Sequence, residues 1–93
     1  MQLVKHETLE NGVLYTVGIC EGVCSQYMEL FTKDGIVVRA EIHGGCQGNT
    51  QGVSRLAEGM KIESVIKRLK GIDCGGRGSS CPDQMARLLE TIR

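Results

Sequence analysis

Five cysteines are the residues of this 93-residue chain best suited to chemistry, because a thiolate binds metal ions and exchanges disulfides. Two of them precede a predicted strand, one follows the next strand, and two flank a run of glycines and serines; in chain order they are Cys20, Cys24, Cys46, Cys74 and Cys81. Thiols stay reduced in the cytoplasm, the compartment that we expect for this chain. An odd number of cysteines there favours metal ligands or reactive thiols over structural disulfides.

Position, more than spacing, separates four of these cysteines from the fifth. Cys-x3-Cys and Cys-x6-Cys are not the Cys-x2-Cys knuckles of zinc ribbons. Cys20 follows Ile19 in an extended run and is interpreted as a small buried hydrophobic residue. The others occur at glycine-flanked turns, and we predict metal or redox chemistry for them; they are Cys24, Cys46, Cys74 and Cys81.

Cys46 and Cys81 stand at the starts of two predicted helices. Cys46 lies seven residues before Val53 and Cys81 lies four before Met85, so each shares the buried side of its helix. Exposed backbone N–H groups and the helix dipole at an N-terminus favour a thiolate over a thiol. Because the thiolate is the form that binds metal, both positions fit a metal site.

Other candidate residues have ordinary interpretations beside their functional ones. His43 ends a predicted strand, where a solvated side chain is common. In the alternative interpretation it is a substitute metal ligand, because it is close to Cys46 in the sequence. Arg77 is either a solubilising loop charge or the partner of a thiolate cluster. The chain has no phosphate-loop or dinucleotide fingerprint and no Ser-His-Asp pattern, so a nucleotide cradle or hydrolytic catalysis has little support.

Composition argues against several other functions. Eleven Lys and Arg residues balance eleven Asp and Glu residues, and aromatic residues make up only 3% of the chain, so no basic surface or stacking platform for nucleic acid is expected. No apolar run reaches about 18 residues, and the start of the chain lacks the apolar segment of a signal peptide. We therefore expect a soluble, cytoplasmic protein that binds neither nucleic acid nor membranes.

The pattern of the first half of the chain predicts strands. Apolar residues alternate with polar ones from Gln26 to Lys33 and from Ile36 to His43, which predicts a β-hairpin. Asn11-Gly12, between two further apolar stretches, is a strong short-range hairpin signal and predicts another strand pair or a short helix upstream.

The loop between the two predicted strands decides the register of the hairpin. A two-residue loop at Asp34-Gly35 would pair Leu30 with Arg39 and mix the two faces. We therefore predict a three-residue loop over 33–35, which pairs Leu30 with Val38 and places Gly35 in the left-handed conformation.

The second half reads as helices. Three segments, 53–60, 62–69 and 85–92, carry apolar residues at i, i+3, i+4 and i+7, and the first stripe includes Leu56 and Met60. Ser80 is the expected N-cap of the third helix. Strands followed by helices predict a single α+β domain over 1–93, in which helices cover one face of a small antiparallel sheet and residues 1–14 form an N-terminal extension.

Five short motifs resemble the TSCPD domain family, in its small stand-alone branch with four cysteines. They are Gly22-Val23-Cys24-Ser25, Gly44-Gly45-Cys46-Gln47-Gly48-Asn49, Gln51-Gly52-Val53-Ser54, Leu69-Lys70-Gly71-Ile72 and Ser79-Ser80-Cys81-Pro82-Asp83. The resemblance covers about residues 15–93, and Ser79 stands where the family name has Thr. It implies that Cys24, Cys46, Cys74 and Cys81 are the four family cysteines and that Cys20 is additional.

The TSCPD resemblance also implies a biological setting. Similar domains occur at the C-terminal end of cobalamin-dependent ribonucleotide reductases. The resemblance therefore implies a link to deoxyribonucleotide synthesis, oxidoreductase chemistry and nucleotide binding, with a ribonucleotide reductase as partner. The resemblance does not decide whether the isolated chain is an enzyme, because 93 residues are few for a complete reductase. It also leaves open whether the chain forms a homo-oligomer.

In the order of its cysteines and elements the chain is also similar to NifU-like iron–sulfur scaffold proteins. Cys24, Cys46 and Cys81 fill the matching places. Gln26 stands where those scaffolds have an aspartate, and loop 73–80 lacks their proline-containing chaperone-binding segment, which disfavours transfer of a labile cluster. Cys74 adds a fourth thiolate, and four closed ligands favour a stably held ion.

Three hypotheses follow from these observations. In the first, the four cysteines hold one ion tetrahedrally, with zinc preferred over an iron–sulfur cluster because zinc needs no assembly system. In the second, Cys46 and Cys81 cycle between dithiol and disulfide as a redox pair. In the third, the chain is a non-catalytic partner of a ribonucleotide reductase with structural cysteines.

Overall fold

The computed structural model describes residues 1–23, 25–45, 47–76 and 78–93, with the backbone alone for Gln47. Within these ranges the chain forms four strands, which are β1 (Gln2–Thr8), β2 (Leu14–Ile19), β3 (Ser25–Lys33) and β4 (Ile36–Gly44). Three α-helices follow them, namely α1 (Gln47–Ala57), α2 (Ile62–Leu69) and α3 (Cys81–Ile92). The predicted α+β fold is confirmed. The predictions for Cys24, Cys46 and Arg77 concern positions outside the described residues.

The strands form one antiparallel sheet in the order β1-β2-β3-β4, so every neighbour in the sequence is a neighbour in space. Asn11 and Gly12 both have positive φ angles in the connection between β1 and β2, which confirms the predicted upstream strand pair. No helix in the described part of the chain is long and apolar enough to cross a membrane.

The turn between β3 and β4 differs from the prediction. Lys33 pairs with Ile36, so the loop has two residues, and both Asp34 (φ 52°) and Gly35 (φ 76°) are left-handed, as a type I′ turn requires. The left-handed Gly35 is confirmed, but the three-residue loop is wrong.

An irregularity in β4 restores the alternation that a two-residue loop would otherwise disrupt. Phe31 pairs with Arg39 and Thr32 pairs with Val37, which leaves Val38 as the extra residue of a bulge. Leu30 therefore pairs with Ala40 rather than with Val38, and Val38 is exposed while Val37 is buried. The bulge shifts the side-chain pattern by one residue, which is why strict alternation led to the wrong loop.

The core lies between one face of the sheet and the three helices. Its buried apolar residues come from β3, β4 and all three helices; they are Met28, Leu30, Val37, Ala40, Ala57, Ile62, Val65, Ile66, Met85, Leu88 and Leu89. Most of the predicted apolar positions of the helices are part of it. Leu56 is wrongly assigned, because it is 77% exposed, and Met60 follows the end of α1.

The segment that follows α1 covers part of the free edge of β4. Glu58, just after α1, accepts a hydrogen bond from the backbone N–H of Ala40 at 3.3 Å. The N–H of Val37 donates to the carbonyl of Met60 at 2.9 Å, and the N–H of Gly59 donates to the carbonyl of Val37 at 2.7 Å. These bonds satisfy edge groups of β4 that the sheet leaves unpaired.

Candidate functional site

Ser25 brings together three segments of the chain that carry or precede cysteines. It begins β3, its Cα pairs with that of Gly44 at the end of β4, and its hydroxyl donates a hydrogen bond to Sγ of Cys81 at 2.6 Å. The side chain is buried, with 3% of the residue exposed. One end of the sheet therefore lies against the N-terminus of α3.

Gly44 is the residue that allows the end of β4 to approach β3 so closely. Its φ angle is +84°, in the left-handed region, and a Cβ there would lie 2.9 Å from Cγ and 3.0 Å from the backbone nitrogen of Gln26. A side chain at this position would push the two strand ends apart.

The start of α3 is built to present Cys81. Ser80 is the N-cap, and its hydroxyl accepts a hydrogen bond from the backbone N–H of Asp83 at 3.1 Å, which confirms the predicted cap. Cys81 is the first helical residue, half-buried, and Pro82 follows where its missing N–H costs nothing. The Cys81 sulfur atom therefore lies between the Ser25 hydroxyl and the N-terminus of α3.

Asp83 connects the start of α3 to the residues around it. Its carboxylate accepts hydrogen bonds from the Ser79 hydroxyl at 2.5 Å, the backbone N–H of Gly71 at 2.6 Å and Nε of Arg87 at 2.7 Å. Burial alone would raise the pKa of Asp83, but these bonds outweigh it and hold that pKa below its usual range. Asp83 is therefore a buried carboxylate that stays ionised and joins the end of α2 to α3.

Gln84 joins the two loops that flank Cys81 in space. Its side-chain oxygen accepts from the backbone N–H of Glu21 at 3.2 Å, and its side-chain nitrogen donates to the Ser79 hydroxyl at 2.8 Å. Glu21 belongs to the connection between β2 and β3, and Ser79 belongs to the loop before α3. The amide of Gln84 thus fixes the distance between these loops.

Cys74 begins the loop that leads to α3, and its side chain is exposed. Its backbone N–H donates to the carbonyl of Ser79 at 3.0 Å, which closes the loop at its base. The carboxylate of Asp73 accepts from the N–H groups of Gly76 and Gly78 at 2.8 and 2.5 Å. Hydrogen bonds among the described residues of this loop therefore hold Cys74 near Ser79, which in turn bonds residues of α3.

Cys20 lies against the core and close to Cys81. It is half-buried, packs on the apolar cluster, and its backbone N–H donates to the carbonyl of Gln26 at 2.9 Å. Burial raises the pKa of the Cys20 thiol to about 11, the electrostatic interaction with Cys81 adds to this, and the chain's amino terminus opposes it. Cys20 is a neutral thiol beside the candidate site at neutral pH.

Sequence reasoning missed the polar residues that position the site. Ser25 and Asp83 lie within the Cys24 and Cys81 motifs and Gln84 follows the second directly, which was the only signal available for them. Two of their hydrogen bonds join residues far apart along the chain, with Ser25 and Cys81 separated by 56 positions and Glu21 and Gln84 by 63.

His43 points away from the core, on the outer face of the sheet. Its Nε2 lies 2.7 Å from a carboxylate oxygen of Glu29, and its ring stacks on that of Tyr27 with 4.3 Å between the centroids. The structure therefore gives His43 a partner on β3, and its alternative role beside Cys46 concerns a residue that is not described.

Comparison with known proteins identifies a family for nearly the whole chain. A family model described as TSCPD domain matches residues 8–93. No curated protein and no solved structure gives a significant match.

Proposed function

Because the chain belongs to the TSCPD domain family, we propose that it is a small metal-binding module that acts beside a ribonucleotide reductase. In this proposal Cys24, Cys46, Cys74 and Cys81 hold one ion, and zinc is the preferred ion because four thiolates suit its tetrahedral coordination. The ion would supply structural cross-linking of the cysteine-bearing segments, and no catalytic step is assigned to it.

The contact between Ser25 and Cys81 is the observation that carries this proposal. Cys24 directly precedes Ser25 in the sequence, and Cys46 comes two residues after Gly44, the strand partner of Ser25. Ser25, the neighbour of Cys24, therefore contacts Cys81, and Gly44, two residues before Cys46, pairs with Ser25. Consecutive Cα atoms are only about 3.8 Å apart, which favours convergence of these segments on one site.

The loop before α3 supports the fourth ligand. The backbone of Cys74 is hydrogen-bonded to that of Ser79, and the Ser79 hydroxyl is hydrogen-bonded to Gln84, which lies about one turn after Cys81. Gln84 also accepts a hydrogen bond from the backbone N–H of Glu21, which lies three residues before Cys24. All four cysteine-bearing segments are thus linked to one another by described hydrogen bonds or strand pairing.

The donor set around Cys81 fits a thiolate-bound cation. The Ser25 hydroxyl donates to the Cys81 sulfur, the N-terminus of α3 lies beside it, and a metal ion binds the deprotonated form of a thiol. A tetrahedral site that closes with four protein ligands is typical of structural zinc. The proposal therefore predicts a tightly held ion that adds to the stability of the folded chain.

Elemental analysis of protein purified without chelators is the direct test. We expect about one zinc ion per chain, and less than about 0.2 metal ions per chain would contradict the proposal, because structural zinc sites bind by about 10 kcal/mol or more. Bound iron together with a visible absorption band would instead indicate an iron–sulfur cluster on the same four cysteines.

Cysteine variants give this experiment its matched control. Cys81→Ser and Cys74→Ser should lose most of the metal, whereas Cys20→Ser should keep it, because Cys20 is a neutral, half-buried thiol outside the four-cysteine set. Equal metal content in Cys81→Ser and Cys20→Ser would contradict the four-cysteine assignment. Metal-free wild-type protein with a rapidly formed disulfide would favour the redox alternative instead.

The association with a ribonucleotide reductase is tested by binding. TSCPD domains are associated with these enzymes, and the isolated chain is proposed as a partner without catalysis of its own. Titration of the zinc-loaded chain into a cobalamin-dependent reductase should give a saturable complex. Nucleotide reduction by the isolated chain, supplied with reductant and cobalamin, would overturn the non-catalytic assignment.

A further inference from the structure

Glu29, Glu41 and His43 form a cluster on the face of the sheet opposite its buried core residues, and two of the three belong to the edge strand β4. One carboxylate oxygen of each glutamate and one ring nitrogen of the histidine all lie within 4.8 Å of one another. Glu29 and Glu41 are direct cross-strand partners on β3 and β4, and His43 is two residues further along β4. All three side chains are partly buried.

This arrangement places two carboxylates where like charges repel. Directly opposed like charges on neighbouring strands destabilise a sheet unless a cation stands between or beside them. The His43 ring lies beside this pair, with Nε2 at 2.7 Å from a carboxylate oxygen of Glu29. Two neighbouring ligands of one metal ion, with bonds of about 2.1 Å, are about 3 Å apart, so this pair needs little movement to share an ion.

Neighbouring aromatic residues hold the cluster in place. Tyr15 donates its hydroxyl to the second carboxylate oxygen of Glu29 at 2.7 Å, and this bond is the main reason why the pKa of Glu29 lies below its usual range. Tyr27 stacks on the His43 ring at an interplanar angle of 13°. Hydrogen bonds and ring contacts of this kind orient metal ligands in proteins.

The cluster opens onto a groove between β4 and α1. Glu41 and His43 line this groove, whose volume is about 350 Å³. Ser54, from α1, lines the same groove, is 6% exposed, and has a hydroxyl with no hydrogen-bond partner among the described residues. A buried hydroxyl without a partner destabilises the fold, and a polar occupant of the groove that reached the Ser54 hydroxyl would remove that cost.

We propose that Glu29, Glu41 and His43 bind a divalent cation, distinct from the ion assigned to the cysteines, with its remaining coordination positions open to the groove. The ligand set of two carboxylates and one imidazole suits Mn²⁺ and similar cations that keep bound water. Arg39 now pairs with Glu41 at 2.6 Å, and the cation replaces this exposed contact.

Mn²⁺ is the probe of choice because carboxylates attract it more than thiolates do, which separates this site from the cysteines. Titration of zinc-loaded, ¹⁵N-labelled protein with Mn²⁺ should broaden amide signals around Glu29, Glu41 and His43 in a saturable way at about one ion per chain. Glu41→Gln and His43→Gln should each weaken binding by about tenfold or more, since each removes one ligand.

Two controls keep the outcome decisive. Glu7→Gln removes an exposed carboxylate of β1 outside the cluster and should leave Mn²⁺ affinity unchanged. Cys81→Ser should also retain the Mn²⁺ site, so that failure of the cysteine site and failure of this one are distinguishable. Absence of saturable broadening in the wild type, or equal affinity in Glu7→Gln, Glu41→Gln and His43→Gln, would overturn the proposal.

Discussion

At the scale of single residues, the described cysteines differ in their exposure to solvent. Cys74 is exposed, Cys81 is half-buried beneath the Ser25 hydroxyl, and Cys20 is packed on the core with a raised pKa. Only the thiolate reacts with alkylating reagents, so burial and pKa together determine the order in which these thiols react.

This difference predicts the alkylation pattern of metal-free protein. At pH 8, a thiol with a pKa of about 11 is only about 0.1% thiolate, so Cys20 should react with iodoacetamide far more slowly than the exposed Cys74. Peptide mass mapping over time measures both rates. The Cys20→Ser variant, which lacks this thiol, identifies the signal that comes from alkylated Cys20. Equal rates for the two residues would contradict the burial and charge assigned to Cys20.

Asp83 predicts how stability depends on pH. Its pKa is lower in the folded chain than in the unfolded chain, where it is about 3.9, so its contribution to stability is present above that value and is lost as pH falls towards the folded pKa. Asp83→Asn should lower the free energy of unfolding by about 1–3 kcal/mol at pH 7. The gap between variant and wild type should narrow at pH 3.

Urea unfolding at the two pH values measures this gap. Glu63→Gln is the matched control, because Glu63 is 69% exposed in its ion pair with Arg93, and exposed pairs contribute about 0–1 kcal/mol. A gap for Asp83→Asn that widens on acidification would show that its carboxylate is not held ionised by Ser79, Gly71 and Arg87.

At the scale of elements, two glycines have opposite effects on the packing of helices. Gly18 in β2 lies beneath α3, and a Cβ there would be 2.9 Å from the methyl carbons of Leu88 and 2.7 Å from the sulfur of Met1. Gly52 lies inside α1, where a Cβ would have no neighbour within 4 Å. The first glycine is a packing requirement, and the second only weakens its helix.

Alanine substitution at these positions should therefore change stability in opposite directions. Gly18→Ala should destabilise the protein by about 1–3 kcal/mol, because Leu88 is fully buried and must shift. Gly52→Ala should stabilise it by about 0.5–1 kcal/mol, the difference in helix propensity. Chemical denaturation of both variants provides the measurement, and a stabilising Gly18→Ala would contradict the close approach of α3 to β2.

At the scale of the whole molecule, the apolar core and the proposed cysteine site involve different parts of the chain. The core cluster joins β3 and β4 to the helices, whereas Glu21, Ser79 and Gln84 connect the loops at the cysteine end through single hydrogen bonds. A bound ion would add a cross-link at that end, where the core contributes least.

Removal of the ion should therefore affect the two parts unequally. A chelator should lower the melting temperature and should speed amide exchange in segments 20–23 and 71–80 more than in the middle of β3 and β4. Exchange measured by mass spectrometry before and after zinc removal tests this expectation. Uniform exchange and an unchanged melting temperature, with zinc loss verified by elemental analysis, would rule out a structural role for the ion.

The hairpin between β3 and β4 shows where prediction from the sequence reaches its limit. Asp34 and Gly35 carry a turn signal that is local, and the left-handed Gly35 follows from it. The bulge at Val38 is not local, because it places Val37 in a core that the helices complete. A pattern of two-residue alternation has no means of expressing an extra residue, and the register was therefore mispredicted.

The sequence by itself determined the α+β order of elements, the cap at Ser80 and the TSCPD motifs, because periodicity, capping and motif spacing are properties of neighbouring residues. Only the tertiary structure decided that Ser25 meets Cys81, that Cys20 lies beside them, and that Glu29 faces Glu41 and His43. These contacts join residues that are distant along the chain, and their existence depends on strand register and on the packing of α3 against the sheet. Neither is encoded in any short stretch of residues, since both result from burying one common core.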